Sequence, residues 1–241
     1  MARRNRHDGR TPAQLRAVRI TPGFLDTADG SCLMEMGGTR VLCAASVSPG
    51  VPKWREPSGE GWLTAEYAML PASTRPRKAP AGLRPDSRSV EIRRMIGRVL
   101  RGAVRFHRLG SNTLHLDCHV LEADGGTRTA SITGAYVAAA LAADRAAGDG
   151  RCTPGVLAGR VAAVSVGMVD GRAVLDLDYQ EDSRADVDMN VAMTGGGKFI
   201  EIQGTSEGRA FGGDELDAML RLARGGCRKL MAAQREAIDG R

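Results

Sequence analysis

The sequence runs to 241 residues, 42% of them hydrophobic and only 4% aromatic; that allows a buried core but leaves little surface for RNA binding by base stacking. The formal charge is +6, from 34 Lys+Arg against 28 Asp+Glu, and only Lys53, Lys78, Lys198 and Lys229 are lysines. The basic excess is therefore arginine, whose planar fork grips phosphate in two places, although an Arg-rich soluble protein with no polyanionic partner has the same balance.

The first ten residues are Arg-rich but lack the apolar stretch of a secretory signal. Ser31–Met36 and Thr39–Ser48 read as strands joined at Gly37-Gly38, a hairpin turn. Trp62–Leu70 reads as a further strand. Pro71–Asp86 then breaks the pattern with Pro71, Pro76, Pro80, Pro85 and Gly82, and carries Arg75, Arg77, Lys78 and Arg84. It is expected to be a mobile basic loop. Ser89–His107 has helical spacing through Ile92, Met95, Ile96, Val99 and Leu100. Thr113–Leu121 returns to a strand, and Thr129–Ala147 is an Ala-rich run expected to be a long buried helix.

The second half repeats the order of strands followed by a helix. Val161–Val169 and Ala173–Tyr179 flank Asp170-Gly171, while Ala185–Met193 and Phe199–Gln203 flank the turn at Gly195–Gly197. Asp214–Ile238 is a closing helix with Asp214 as its expected N-cap. The class is mixed α/β (α+β), with short strands paired largely as hairpins rather than alternating in a doubly wound sheet. Cys32, Cys43, Cys118, Cys152 and Cys227 are scattered, odd in number and never spaced as C-x-x-C. That argues against a disulfide framework or zinc site and for a reducing compartment. No apolar run approaches a membrane span.

Three stretches can carry chemistry. Asp124-Gly125-Gly126-Thr127-Arg128-Thr129 joins a strand to a helix. Free amides at the helix start, two glycines that admit close approach, a hydroxyl and a guanidinium make a phosphate cradle. The plain alternative is an ordinary turn capped by Thr127 or Thr129. In the stretch Tyr179–Asp188, Glu181, Asp182, Asp186 and Asp188 fall close together, and on a strand Asp186 and Asp188 would share a face. Clustered acids repel unless a cation or a shared proton relieves them. They suit Mg²⁺, or one of them could protonate a leaving oxygen; a solvated acidic turn is the alternative. Arg88 stands where the basic loop enters a helix, able to meet an anion there or to remain a surface Arg. His115, Asp117 and His119 would also share a face, but nothing nearby completes a metal set.

Together these stretches resemble the ribonuclease PH family nearly end to end. The resemblance runs through Arg6-His7-Asp8-Gly9-Arg10, Gly61-Trp62-Leu63-Thr64-Ala65-Glu66-Tyr67, Glu91-Ile92, Gly97-Arg98, Ala123–Gly134, Glu181-Asp182-Ser183, Val187-Asp188-Met189-Asn190-Val191 and Gln203-Gly204-Thr205. It implies a single ribonuclease PH domain over 1–241, with the basic loop at about 71–87, and a cytoplasmic 3′-to-5′ exoribonuclease that uses inorganic phosphate as co-substrate. Precursor tRNA is the implied substrate, nucleoside diphosphates the products, and reversible nucleotidyl transfer the back reaction. It implies Arg88, Gly126, Thr127 and Arg128 as phosphate-binding residues, Asp182 and Asp188 as the functional acids and potential Mg²⁺ ligands, and a homohexamer built as three dimers. The alternatives within the same fold are a hydrolytic exoribonuclease and a catalytically silent RNA-binding ring subunit. The chain departs from the family pattern at Leu70-Pro71-Ala72 and at Asp86-Ser87-Arg88-Ser89-Val90, which bears on capture of the RNA end more than on chemistry.

Overall fold

The computed structural model describes residues 6–80, 86–207 and 209–240. Two sheets are built from the two halves of the chain. The first has the order β1-β2-β3-β5-β4, from β1 (Val18–Pro22), β2 (Gly30–Met36), β3 (Thr39–Pro49), β4 (Trp62–Met69) and β5 (Asn112–Glu122). The second has the order β7-β6-β8-β9, from β6 (Val161–Val169), β7 (Arg172–Leu175), β8 (Val187–Thr194) and β9 (Phe199–Ser206).

The hairpins follow from turn chemistry. Met36 pairs with Thr39 across Gly37-Gly38, and Val169 pairs with Arg172 across Asp170-Gly171. Asp170 and Gly171 have φ of 50° and 70°, the left-handed pair that matches strand twist in a two-residue turn. β4 departs from the antiparallel pairing of the other strands, because it lies parallel to β5, with Met69 opposite Val120. A parallel pair needs a long crossover, and the basic segment together with helix α1 (Ser87–Arg101) supplies it. Both strands therefore end at the same edge, β4 running into the basic segment and β5 into the glycine turn.

Helix α3 (Thr127–Gly148) packs against strands of both sheets. It is buried nearly all round, from Thr127 to Ala146, as expected of an Ala-rich helix clamped between layers. Its buried hydroxyls are satisfied: Thr133 donates to the Ala163 carbonyl at 3.2 Å, and Ser131 to the Thr127 carbonyl at 2.8 Å. One apolar core runs continuously from Met34 and Leu116 through Ile132 to Val164 and Leu230. The closing helix α5 (Gly213–Asp239) covers the second sheet.

Several boundaries differ from the sequence expectation. β1 was not expected; its half-buried edge position weakens the alternation. α1 stops at Arg101, and a separate short α2 (Phe106–Leu109) follows, because Val104 turns aside to bridge with Leu157. The Ala173–Tyr179 strand ends at Leu175, and Tyr179–Asp182 forms a helical turn, α4. Asp214 is not an N-cap: Gly212 holds that position, and its amide donates to Glu215 at 2.9 Å.

Candidate active site

The glycine turn is shaped from several sides. Gly125 and Gly126 have φ of +74° and +64°, values that strain any other residue. A side chain at Gly125 would start 2.6 Å from the Asp178 carbonyl carbon, so the turn also needs glycine to lie against the chain entering α4. Thr39 accepts from the Asp124 amide at 2.9 Å and donates to the Gly125 carbonyl at 2.6 Å. Gly126, not a threonine, occupies the N-cap of α3. The first amides of a helix have no partner within it, and here they open beside Thr127 and Arg128.

The side chains are fixed in turn. Tyr67 of β4 donates to the Thr127 hydroxyl at 3.0 Å, leaving that hydroxyl's own proton free to donate elsewhere. Arg128 pairs with Glu91 of α1 at 3.3 Å, and Glu91 also accepts from Gln203 of β9 at 3.2 Å. Arg88 lies in the first turn of α1, whose N-cap Asp86 accepts from the Ser89 amide at 2.6 Å. Asp182 ends α4, which opens on a capping box between Asp178 and Glu181. Asp188 is the second residue of β8.

These segments meet. A cavity of about 600 Å³ is lined by Arg88, Gly126, Thr127, Arg128, Asp182 and Asp188. Arg75, Arg77 and Lys78 border the same cavity, while Arg84 lies outside the described residues. Asp188 lines the cavity and Asp186 is not among its lining residues. Asp186 precedes β8 and pairs with Arg209 at 3.6 Å. On β5, His115 and His119 are exposed on the outer face of the first sheet.

The two acids carry the electrostatic signature of the site. The Asp182 carboxyl is raised above its usual range, first because the cavity walls strip it of water and then because Asp188 stands near; Arg88 and Arg128 pull the other way. Asp188 is raised by loss of water and by Glu207, against the attraction of Arg128. Cations and two reluctant carboxylates lining one cavity can hold an anion beside an acid pair. Tyr67 and Glu91 buttress Thr127 and Arg128 from separate elements, a role that no local sequence pattern signals.

The comparisons with known proteins agree along the chain. The sequence model of the 3′ exoribonuclease family, domain 1, matches residues 14–143, and that for domain 2 matches residues 159–226. The "Ribonuclease PH" of Corynebacterium diphtheriae is 55% identical over 237 residues, covering 98% of each chain. That of Mycobacterium bovis is 53% identical over 236 residues, covering 97% of this chain and 91% of the relative. Among solved structures, rice Rrp46 superposes with a TM-score of 0.79 at 19% identity, covering 97% of this chain and 100% of that one. An Archaeoglobus fulgidus exosome with RNA bound to the active site superposes with a TM-score of 0.79 at 24% identity, covering 95% and 92%. The structural likeness carries the fold, the sequence identity carries the family, and the chain belongs to the ribonuclease PH family of 3′ exoribonucleases.

Proposed function

We propose that the opening of α3 holds inorganic phosphate and aims it at the last phosphodiester of an RNA 3′ end. The chain is a phosphorolytic 3′ exoribonuclease that processes tRNA. One observation carries the site assignment: Arg88, Gly126, Thr127 and Arg128 line the same cavity as Asp182 and Asp188.

Two anions must meet, so their repulsion has to be cancelled before attack. Arg88 and Arg128 supply positive charge, and the Gly126 amide and Thr127 hydroxyl supply directed donors. Holding both reactants in line removes an entropic barrier worth about 7–11 kcal/mol at best. An oxygen of the bound phosphate bonds to the terminal phosphorus. The bond to the 3′ oxygen of the penultimate nucleotide breaks, and a nucleoside diphosphate leaves. That 3′ oxygen needs a proton. The Asp182 and Asp188 carboxyls are both raised from their ordinary values, which fits the pair, rather than either residue alone, to supply it.

The same donor set fits Mg²⁺. Two neighbouring carboxylates deprived of water offer hard oxygen ligands and gain by neutralisation. When bound, the ion would be held by Asp182 and Asp188 and would offset negative charge on the phosphate oxygens. Arg75, Arg77 and Lys78 would guide the RNA strand in.

We further take the chain to be one structural unit, a view supported by the main core, to which both matched segments contribute. We take it to assemble as a hexamer of three dimers, in keeping with the family. The cytoplasm is the proposed compartment: all five cysteines are free. No helix among the described residues is long and apolar enough to cross a membrane. Assembly is checked by mass in solution, where a monomer at working concentration contradicts it.

The central test is incubation of a tRNA bearing an extended 3′ end, with and without inorganic phosphate, followed by identification of the released nucleotide. Diphosphates released only when phosphate is present are expected. Monophosphates would identify a hydrolase, and no release in either arm a silent RNA-binding subunit.

A further inference from the structure

A second hollow, of about 430 Å³, is lined by Arg10, Arg16, Asp124 and Asp178 among others. Asp124 lines this hollow while Gly125 and Gly126 line the first cavity, so the glycine turn borders both. His7, Asp8 and Asp178 bring potential metal-ligand atoms within 4.8 Å of one another there, but Arg10 already pairs with both carboxylates, which leaves Arg16 as the group to explain.

Arg16 is buried, at 7% exposure, and every part of its head is engaged. Its Nη1 donates to the Asp124 carbonyl and its Nη2 to the Gly125 carbonyl at 3.4 Å. Its Nη2 and Nε donate to the two carboxylate oxygens of Asp176 at 2.7 and 3.1 Å, and its own amide donates to Asp176 at 2.8 Å. Asp176 is fully buried, with φ of 56°, a conformation that persists in such a residue only when its surroundings over-determine it. Arg6 and Arg10 add to the grip by donating to the Asp176 carbonyl at 2.9 and 2.8 Å. From Asp176 the chain leads directly into α4 and Asp182.

In a planar trans peptide the carbonyl and the following N–H point in opposite directions. Carbonyls of Asp124 and Gly125 turned toward Arg16 therefore turn the amides of Gly125 and Gly126 away from it. Both glycines line the cavity that holds the acids, and Arg16 does not. We infer that Arg16 is a positioning residue for phosphorolysis: by holding these two carbonyls and Asp176 with one guanidinium, it aims the Gly125 and Gly126 amides at the phosphate and locks that turn to the segment bearing Asp182. This rests on the phosphate site proposed above. A side chain at Gly126 would begin 3.0 Å from Arg16 Nη2, so any residue other than glycine there disturbs the same contact. Thr39, which donates to the Gly125 carbonyl from β3, backs the arrangement from a second element.

The test compares Arg16→Lys, Thr39→Val and Arg128→Ala in the full chain, each characterised by steady-state kinetics in phosphate and in RNA, by RNA affinity without phosphate, and by Tm. A lysine keeps the charge but cannot span two carbonyls and a carboxylate. Arg16→Lys is expected to raise the KM for phosphate about ten-fold or more, with RNA affinity unchanged and kcat largely recovered at saturating phosphate. Thr39→Val is expected to raise the same KM by less. An unchanged phosphate KM in Arg16→Lys, or a loss spread equally over phosphate, RNA and Tm, makes Arg16 merely structural and overturns the inference. Should Arg16→Lys fail to fold, Thr39→Val decides, and an unchanged phosphate KM there overturns it. If Arg128→Ala leaves kcat/KM for phosphate intact, the phosphate site itself falls and this role with it. If only Arg128→Ala impairs phosphate use, the site stands and the positioning role alone is lost.

Discussion

Arg128 is tethered and yet replaceable without wrecking its surroundings. Its partner Glu91 is 39% exposed at the side chain and keeps the hydrogen bond from Gln203 when the guanidinium is removed. Arg128→Ala therefore tests phosphate capture more than folding. The expected outcome is a fall of about 10²–10³-fold in kcat/KM for phosphate, the usual effect of deleting one directed donor to a charged transition state. RNA affinity measured without phosphate stays near that of the parent. The acids make a second residue-scale prediction. A carboxyl whose pKa is raised by folding is ionised at a cost, so stability is fullest below its unfolded value and falls as pH climbs through the raised one. Asp182 and Asp188 are both raised, and Asp188 contributes to the shift of Asp182. Asp188→Asn removes one of the two carboxylates whose ionisation is costly, and is thus expected to raise Tm at about pH 7 and to do so much less at about pH 4, near the unfolded carboxylate range. Melting curves across that interval check the sign. A gain that is flat with pH would mean that the two carboxylates do not repel.

At the scale of single elements, α3 shows how tightly the layers close on the helix that carries the phosphate turn. A Cβ at Gly134 would sit 2.7 Å from Cys43 Sγ and 2.8 Å from Met34 Cβ, whereas one at Gly148 meets nothing within 4 Å. Alanine gains about 1 kcal/mol over glycine in a helix interior. At Gly134 overpacking opposes this with about 1–3 kcal/mol. The neighbour Met34 Cβ cannot move without its strand, so the clash wins. Gly134→Ala is expected to lower the urea midpoint and Gly148→Ala to hold or raise it, with the denaturant slope unchanged in both. The elements legible in the sequence were those whose physics is local: the Gly37-Gly38 and Asp170-Gly171 turns, the Ala-rich run and the apolar stripe of α1. β1 escaped notice because an edge strand half open to solvent lacks clean alternation. The α4 turn was hidden because Asp178 and Glu181 cap it with side chains that read equally well as an acidic loop. In the site, Arg88, Arg128 and the two acids were identifiable through motifs. Arg16 gave no signal, since its contact with Asp124 spans 108 residues and no local pattern encodes such a pairing.

For the whole molecule, the one parallel strand pair among the described residues decides where chemistry and substrate capture meet. β4 and β5 end at one edge, so the basic segment that follows the one and the glycine turn that follows the other border the same cavity. Hairpin pairing throughout would have sent these two segments to opposite edges. Lys78 anchors the basic segment by donating its amide to the Pro71 carbonyl at 2.9 Å, while the side chains of Arg75, Arg77 and Lys78 stay exposed. A strand of RNA drawn to them releases the counterions on each phosphate that they neutralise, and its affinity then falls with salt, with a log–log slope of about −0.7 per phosphate. Replacing Arg75 and Arg77 together by Ala is expected to weaken binding of a single-stranded 3′ extension and to flatten that slope by up to about 1.4. The kcat at saturating RNA and phosphate should change little, because neither residue is assigned to the phosphate-binding group. The measurement is a binding titration at several salt concentrations, parent against double variant. Parallel slopes would show that the basic segment does not touch the strand, and would move RNA guidance to another part of a surface that carries a net +6.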